Sequence, residues 1–519
     1  MNKNLFTAIA LCLVIYIGWA TWVEKNYGGK TAPKPRAENT LPQRTSIGNA
    51  AHQSTISPST VKMSSPANAK VEMALIPFKT PHAAVLFNPR GAGISSYRFF
   101  GPVYESELVP DGDPGFFATM SDVDFAVKGQ TADAITFAAE PSPGLSIEKT
   151  YTWPKDGLGR IEITVENKTK NSVELPEWGI HLGPGMDTVQ SDRTDLQRQT
   201  KAMFAVNQEG RKNAVTKDLA KESYENGWLW AGVENRYFLA AIVPDQWQAG
   251  KIEFSKKDTE KVKDAPALSA MAEKSVLAPG EKKTWSVAFY MGPKDYRKLT
   301  AMGHSLDRAV DFGFFGIIGK LALKVLYFNY GLTKNYGWAI IMLTLCLQLL
   351  MIPLTAKSFK ANMIMRKIQP KLQEIQKKHK DNPQRLNQEM MELYRTEGAN
   401  PFGGCLPMLL QMPIFIALYN ALKNSWDLHG STFALWITDL SAKDPYFVLP
   451  VMLGLIMFFQ QKIMMPQGGD PTQAMMMKIM PVMMTVFFIS MPSGLGLYWL
   501  TNSILGFSLQ LYLQKKWAQ

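Results

Sequence analysis

Hydrophobic positions follow three different patterns along this chain. Residues 1–23 open with basic MNKN and continue as LFTAIALCLVIYIGWATWV, an unbroken apolar run of about nineteen residues, close to the roughly 20 that cross a hydrocarbon layer. From about residue 71 to 298 the pattern becomes short alternating runs such as AAVLFNPRG, LSIEKTYTW, RIEITVENKT and KTWSVAFYMG, punctuated by Gly, Pro and Asn. That alternation predicts the strands of an antiparallel β-sandwich. Long runs then return at 338–356, 405–422, 446–463, 474–491 and 494–513. Lipid requires backbone groups to pair within a segment, so these are expected to be helices. The predicted fold is multi-domain: a polytopic α-helical membrane bundle of six spans plus an all-β sandwich.

The connecting segments complete the plan. Residues 24–70 are rich in Pro, Ser, Thr and Ala and poor in aromatics, which predicts a flexible linker. The sandwich domain is placed at 71–310, with one short helix near 294–310. Residues 311–332 (DFGFFGIIGKLALKVLYFNYGL) suit an interfacial amphipathic helix, with Lys320 and Lys324 reaching toward headgroups; packing on the sandwich is the rival reading. For residues 1–23 a cleavable signal peptide is the rival, but the run ends in aromatic WATWV without a clear small-x-small site, which favours an anchor.

Charge sets the expected orientation. Lys and Arg exceed Asp and Glu by 56 to 44, and the segment 357–400 holds ten of the basic residues whereas 424–445 holds only Lys443. The first is therefore cytoplasmic and the second outside. Counting spans puts both termini in the cytoplasm and the sandwich across the membrane. Within 357–400, Ile368, Leu372 and Ile375 recur at helical spacing, AspAsnPro follows at 381–383, and Leu386, Met390 and Leu393 recur after it. This predicts a helical hairpin with an apolar seam, its first arm kinked or restarted at Pro370. The three cysteines, Cys12, Cys346 and Cys405, lie in or beside the apolar runs, which leaves the sandwich without a disulfide framework.

Polar residues inside the spans supply the candidate chemistry. Thr344, Gln348 and Thr355 share a face of the second span, and Trp499, Asn502, Ser503, Gly506 and Gln510 form a stripe on the last. Gln411 sits in NPFGGCLPMLLQMPIFIALYNAL, where Pro407 and Pro413 each remove a donor and free the carbonyl four residues back. Such groups either hydrogen-bond helix to helix or line a watery cavity; two stripes plus Gln411 favour the cavity. Nineteen of the 28 methionines follow Tyr330, which suits either core filling or a surface receptive to many apolar sequences. No span carries Asp, Glu or His, so no catalytic residue, metal or cofactor is expected, and a proton-coupled pump is disfavoured.

The motifs NPFGGCLPMLLQMPIFIALY, FALWITDLSAKDPYFVLP, MMKIMPVMMTVFF and PSGLGLYWLTN resemble the YidC membrane protein insertase family over 338–517, and the architecture before them resembles its Gram-negative form. The resemblance implies a five-helix core with a hydrophilic groove open to lipid and cytoplasm, a client-receiving cytoplasmic hairpin, and a periplasmic β-supersandwich. It implies no enzyme. Implied partners are nascent membrane proteins, the Sec translocon, membrane lipids, and the ribosome or signal recognition machinery, with no specific nucleic-acid recognition; the implied location is the bacterial inner membrane. Thr344, Gln411 and Trp499 match groove-lining positions of the family, and Gln348, Asn502 and Ser503 extend that set. One departure stands out: the family usually places an arginine five residues before the proline of ProLeuThr, and here that residue is Gln348. Lys478, expected at the cytoplasmic end of the fifth helix, is the candidate for partial compensation, and the short QKKWAQ after Leu513 lacks a long basic extension. A channel or transporter, and a membrane-anchored periplasmic protein acting on carbohydrate, are the alternative readings.

Overall fold

The computed structural model describes residues 59–60 and 74–517 apart from 102–104, 156, 190–199, 208–214, 219–222, 226, 246–250, 260–262, 381, 401–402, 404–405 and 465–470. The anchor expected at 1–23 and nearly all of the linker at 24–70 lie outside the described residues.

Alternating side chains build the β-region. The strands Leu145–Thr152 and Gly159–Asn167 bury every second residue and pair antiparallel with Tyr151 opposite Ile161. They belong to a nine-stranded sheet in the order Val215–Asp218, Lys201–Val206, Trp228–Glu234, Phe238–Pro244, Lys282–Pro293, Gly159–Asn167, Leu145–Thr152, Ala134–Ser142, Ala126–Gln130. Two four-stranded sheets accompany it: one runs from Ile76–Lys79 to Glu105–Glu107, and the other includes Trp178–Leu182 and Ala265–Ala272. A single apolar cluster unites Phe87, Phe137, Tyr151, Ile180 and Leu268 from these three sheets with Val173 and Leu277 of a further three-stranded one. The central strands Phe238–Pro244 and Lys282–Pro293 are buried on both faces. Their second face, with Leu239, Val243 and Tyr290, joins a cluster that continues into the helices.

One cation is enclosed in this core. Lys149 is fully buried, and its Nζ donates to the carbonyls of Gly91 (3.0 Å), Ala92 (3.2 Å) and Phe117 (2.6 Å). Those three residues all have positive φ, at 69°, 45° and 59°; the ammonium thus gathers carbonyls that left-handed backbone turns inward. Burial pushes the lysine well below its ordinary value. Gly91 O also accepts from Thr119 N, whereas Ala92 O and Phe117 O share the single hydroxyl of Tyr151.

Eight helices among the described residues follow or link these sheets to the apolar runs: α1 (Tyr296–Met302), α2 (Gly316–Thr333), α3 (Tyr336–Lys378), α4 (Pro383–Thr396), α5 (Leu406–Lys423), α6 (Val448–Met464), α7 (Pro471–Ile489) and α8 (Ser493–Trp517). Three expectations need correction. The second span and first hairpin arm are one 43-residue helix, continuous through Pro353 and Pro370; at 1.5 Å per residue it is roughly 65 Å long, twice the hydrocarbon thickness. Pro407 lies in the first turn of α5, where its N–H has no helical acceptor to lose, so it frees no carbonyl within the helix. Helix α2 begins at Gly316 rather than 311, and Lys320 turns inward to Asp307 (3.6 Å) and the ring of Tyr296 instead of outward. The outward face of α2 is Ile317 (88% exposed), Leu321, Lys324, Phe328 and Leu332.

These contacts yield two expectations for stability. Lys149→Met keeps the volume but leaves Ala92 O and Phe117 O with one hydroxyl hydrogen between them, so the β-region should lose about 1–3 kcal/mol, whereas Lys149→Ala adds a cavity worth about 2–5 kcal/mol to the same loss. Thermal melts of the purified chain decide; a Met variant as weak as the Ala variant contradicts the assignment. His181, whose Nδ1 lies 2.6 Å from Ser269 Oγ on the neighbouring strand, is pushed down to about 4 by burial, then by Lys257 and Lys149. Its folded value lies below the ordinary 6.5, so stability is full above pH 6.5 and declines as the pH falls toward 4. His181→Gln should flatten that decline in melts taken between pH 7 and 4.

Candidate functional site

Helix α8 organises the polar residues of the helical region. Tyr498, Asn502, Gly506 and Gln510 recur every four residues on it and so form a stripe that winds by about 40° per step over about 18 Å. Glutamines from three other helices meet this stripe. Gln411 of α5 donates from Nε2 to Tyr498 Oη at 2.7 Å. Gln348 of α3 places Nε2 over Gly506, 3.7 Å from where a Cβ would stand. Gln460 of α6 donates from Nε2 to Gln510 Oε1 at 3.0 Å. A Cβ at Gly506 would stand in ordinary van der Waals contact with the Gln348 amide.

The sequence-predicted residues do not all behave alike. Gln348, Gln411, Asn502 and Ser503 are half-buried. Trp499 packs edge-on against Phe415 at 4.7 Å and tilts against Phe488 at 5.5 Å, forming an aromatic wall beside the amides. Thr344 is set apart: it is fully buried, and its Oγ1 donates to Ile340 O of its own helix at 2.7 Å. That bond satisfies the hydroxyl locally, so Thr344 offers packing volume rather than a free polar group. Gln460 and Tyr498 escaped sequence reading. Tyr498 stands one turn before Asn502, and extending the stripe backward by four would have found it; Gln460 lies at the end of an apolar run and carries no comparable signal. The side chain of Lys478 lies outside the described residues.

The rest of the surface around these residues is apolar. Leu349 and Leu350 of α3, Leu409 of α5, Phe458 and Phe459 of α6 and Val482 and Val486 of α7 are all more than half exposed, so a large share of the about 1.5–3 kcal/mol that full burial of each would bring is unrealised in water. Among the described residues, α3 alone is long and apolar enough to cross a membrane by length and composition; α5, α6 and α7 contribute shorter apolar stretches. Met475 and Met483 of α7 are likewise exposed.

At the far end of α3 the hairpin seam forms from Ile368 and Leu372, both buried with Ala399, and from Met390, Leu393 and Tyr394. Ile375 and Leu386 are half-buried. Lys371 Nζ bridges to Glu397 at 2.6 Å, tying α3 to the end of α4. Met391 stands 70% exposed on α4 and belongs to no predicted set.

Comparison with known proteins places these features. Residues 328–519 match the family described as 60Kd inner membrane protein, and residues 79–325 match the YidC periplasmic domain. The chain is 40% identical over 447 residues to the membrane protein insertase YidC of Endomicrobium trichonymphae, covering 84% of each. It is 33% identical to that of Geobacter metallireducens over 100% of this chain and 99% of the relative. A crystal structure of an active YidC insertase with its first transmembrane domain resolved aligns over 84% of this chain and 92% of its own, at 18% identity and a TM-score of 0.38. On the identity and coverage of these relatives, the chain belongs to the YidC family of inner-membrane protein insertases.

Proposed function

We propose that this chain inserts membrane proteins by lending neutral amides to the polar segment of a client while the client's apolar helix moves sideways into lipid. The observation that carries this reading is the convergence of Gln348, Gln411 and Gln460 on the polar stripe of α8. A polypeptide crossing hydrocarbon leaves backbone groups unpaired, at a cost of several kcal/mol each. A glutamine amide both donates and accepts, so it matches the peptide group itself rather than any particular side chain. Asn502 and Ser503 add further donors and acceptors, and Trp499 gives the groove an apolar border. Partition of the client's apolar helix into lipid supplies the driving force.

The topology that suits this mechanism has six spans, both termini and the α3–α4 hairpin in the cytoplasm, and the β-region in the periplasm. The ten basic residues of 357–400 against the single Lys443 of 424–445 support it. In that frame, the exposed strip Ile317, Leu321, Phe328 and Leu332 of α2 lies in the membrane interface. Nascent membrane proteins are the clients, delivered by the ribosome at the hairpin or received from the Sec translocon.

Two measurements test the chemistry. With Gln348 in place of an arginine, insertion should depend little on client acidity. Cross-linking and insertion of an acidic-tailed and a neutral-tailed client should therefore agree within about threefold, and Gln348→Arg should favour the acidic one; a strong acidic preference in the wild type contradicts the proposal. Replacing Gln411 or Gln460 by leucine should each slow insertion by about tenfold, the weight of roughly 1.4 kcal/mol of lost polar stabilisation. Unchanged insertion by both leucine variants in inverted membrane vesicles would remove the amides from the mechanism.

A further inference from the structure

The outer end of the helix carrying Gln411 is held by groups that the groove does not use. Helix α5 ends at Lys423, whose carbonyl accepts from Arg236 Nε of the β-region at 2.9 Å. Next, Asn424 Nδ2 donates to Asp311 O at 2.8 Å. Trp426 is buried within the sandwich core, 5.1 Å from the Phe238 ring and 5.9 Å from Phe99. The following residue, Asp427, has a side chain only 7% exposed. Its carboxylate accepts from Arg297 at 2.7 Å, from Tyr327 Oη at 2.8 Å and from Tyr336 Oη at 3.1 Å. The Arg297 guanidinium also lies 4.3 Å over the Tyr327 ring, and Tyr336 stacks on Tyr330 at 4.0 Å.

Those donors come from three separate elements. Arg297 belongs to α1 at the end of the β-region, Tyr327 to α2, and Tyr336 is the first residue of α3. A nearly buried carboxylate is costly unless paired and hydrogen-bonded on every side, and this one satisfies that demand only when all three elements are in place. Helix α3 carries Gln348 and α5 carries Gln411. We infer that Asp427 is a positioning residue for insertion: it fixes the outer ends of α3 and α5 relative to each other, and through Arg297 it makes the β-region one jaw of that clamp. The assignment rests on the groove reading only for what is being positioned.

The test uses the full chain in native membranes, with spin labels at the exposed positions Leu345 of α3 and Met412 of α5. Tyr327→Phe and Tyr336→Phe each remove one hydroxyl and keep the ring, so they preserve packing if Asp427→Ala proves unstable. Each should broaden the label-to-label distance distribution and lower client insertion by about tenfold, the weight of one hydrogen bond to a charged group. Asp427→Ala should do both more strongly, and adding Tyr327→Phe to it should bring no further loss, since both act through one carboxylate. Asp427→Glu should recover part of the insertion. Additive losses, or insertion and distance that change independently of each other, overturn the clamp. The leucine variants at Gln411 and Gln460 keep the two ideas apart: if those insert normally, the groove reading fails whatever the distances show.

Discussion

A polar group inside a helical bundle needs a partner, and that requirement shapes the helical half of this protein. Helix α8 answers it by repeating polar or small residues every four positions, which strings Tyr498, Asn502, Gly506 and Gln510 along one slowly winding line. Each glutamine that meets the line comes from a different helix, so the register of α3, α5 and α6 is written against a single ruler. Amides are uncharged, which lets them sit where a lone cation would need a counter-charge. They also exchange partners at low cost, because a peptide group offers the same donor and acceptor that Tyr498 or Gln510 offers now.

The β-region meets the helices through shared side chains, not through a linker alone. The second face of Phe238–Pro244 is continuous with a cluster that includes Leu299, Leu306 and Phe312, then Leu323 and Leu326 of α2 and Ile340 and Leu343 of α3. Trp426 crosses in the opposite direction, from the loop after α5 into the sandwich core. Polar bonds then set the direction of what apolar contact only holds close: Arg236 caps α5, and Asp427 collects three donors. The same logic governs Lys149, whose ammonium orients two loops that apolar packing would not distinguish.

Much of this architecture was legible from periodicity. Alternation with period 2 marked strands such as Leu145–Thr152, and the unbroken runs marked α5 through α8. What escaped depended on partners distant in sequence. Lys320 gives no local sign that it will turn to Asp307; Thr344 differs, since its hydroxyl bonds Ile340 O only four residues back, a local option open to any helical threonine. Proline misled because its cost depends on position: Pro407 in a first turn loses nothing, and Pro370 is carried through a helix by neighbours such as Lys367, Gln369, Lys371 and Leu372 that are strong formers. The clamp was invisible because Asp427 and Arg297 are separated by 130 residues and neither lies in a recognisable motif.

The central claim is that water and client polypeptide both reach the amide face of α8. The most direct measurement places single cysteines at 348, 411 and 502 in a cysteine-free background, then assays reaction with a membrane-impermeant thiol reagent added from the cytoplasmic side and cross-linking to a stalled nascent chain. The account predicts that all three react and that the nascent chain captures them while its outgoing segment is in transit. Cysteines that stay inert to the reagent and never touch the chain would contradict it.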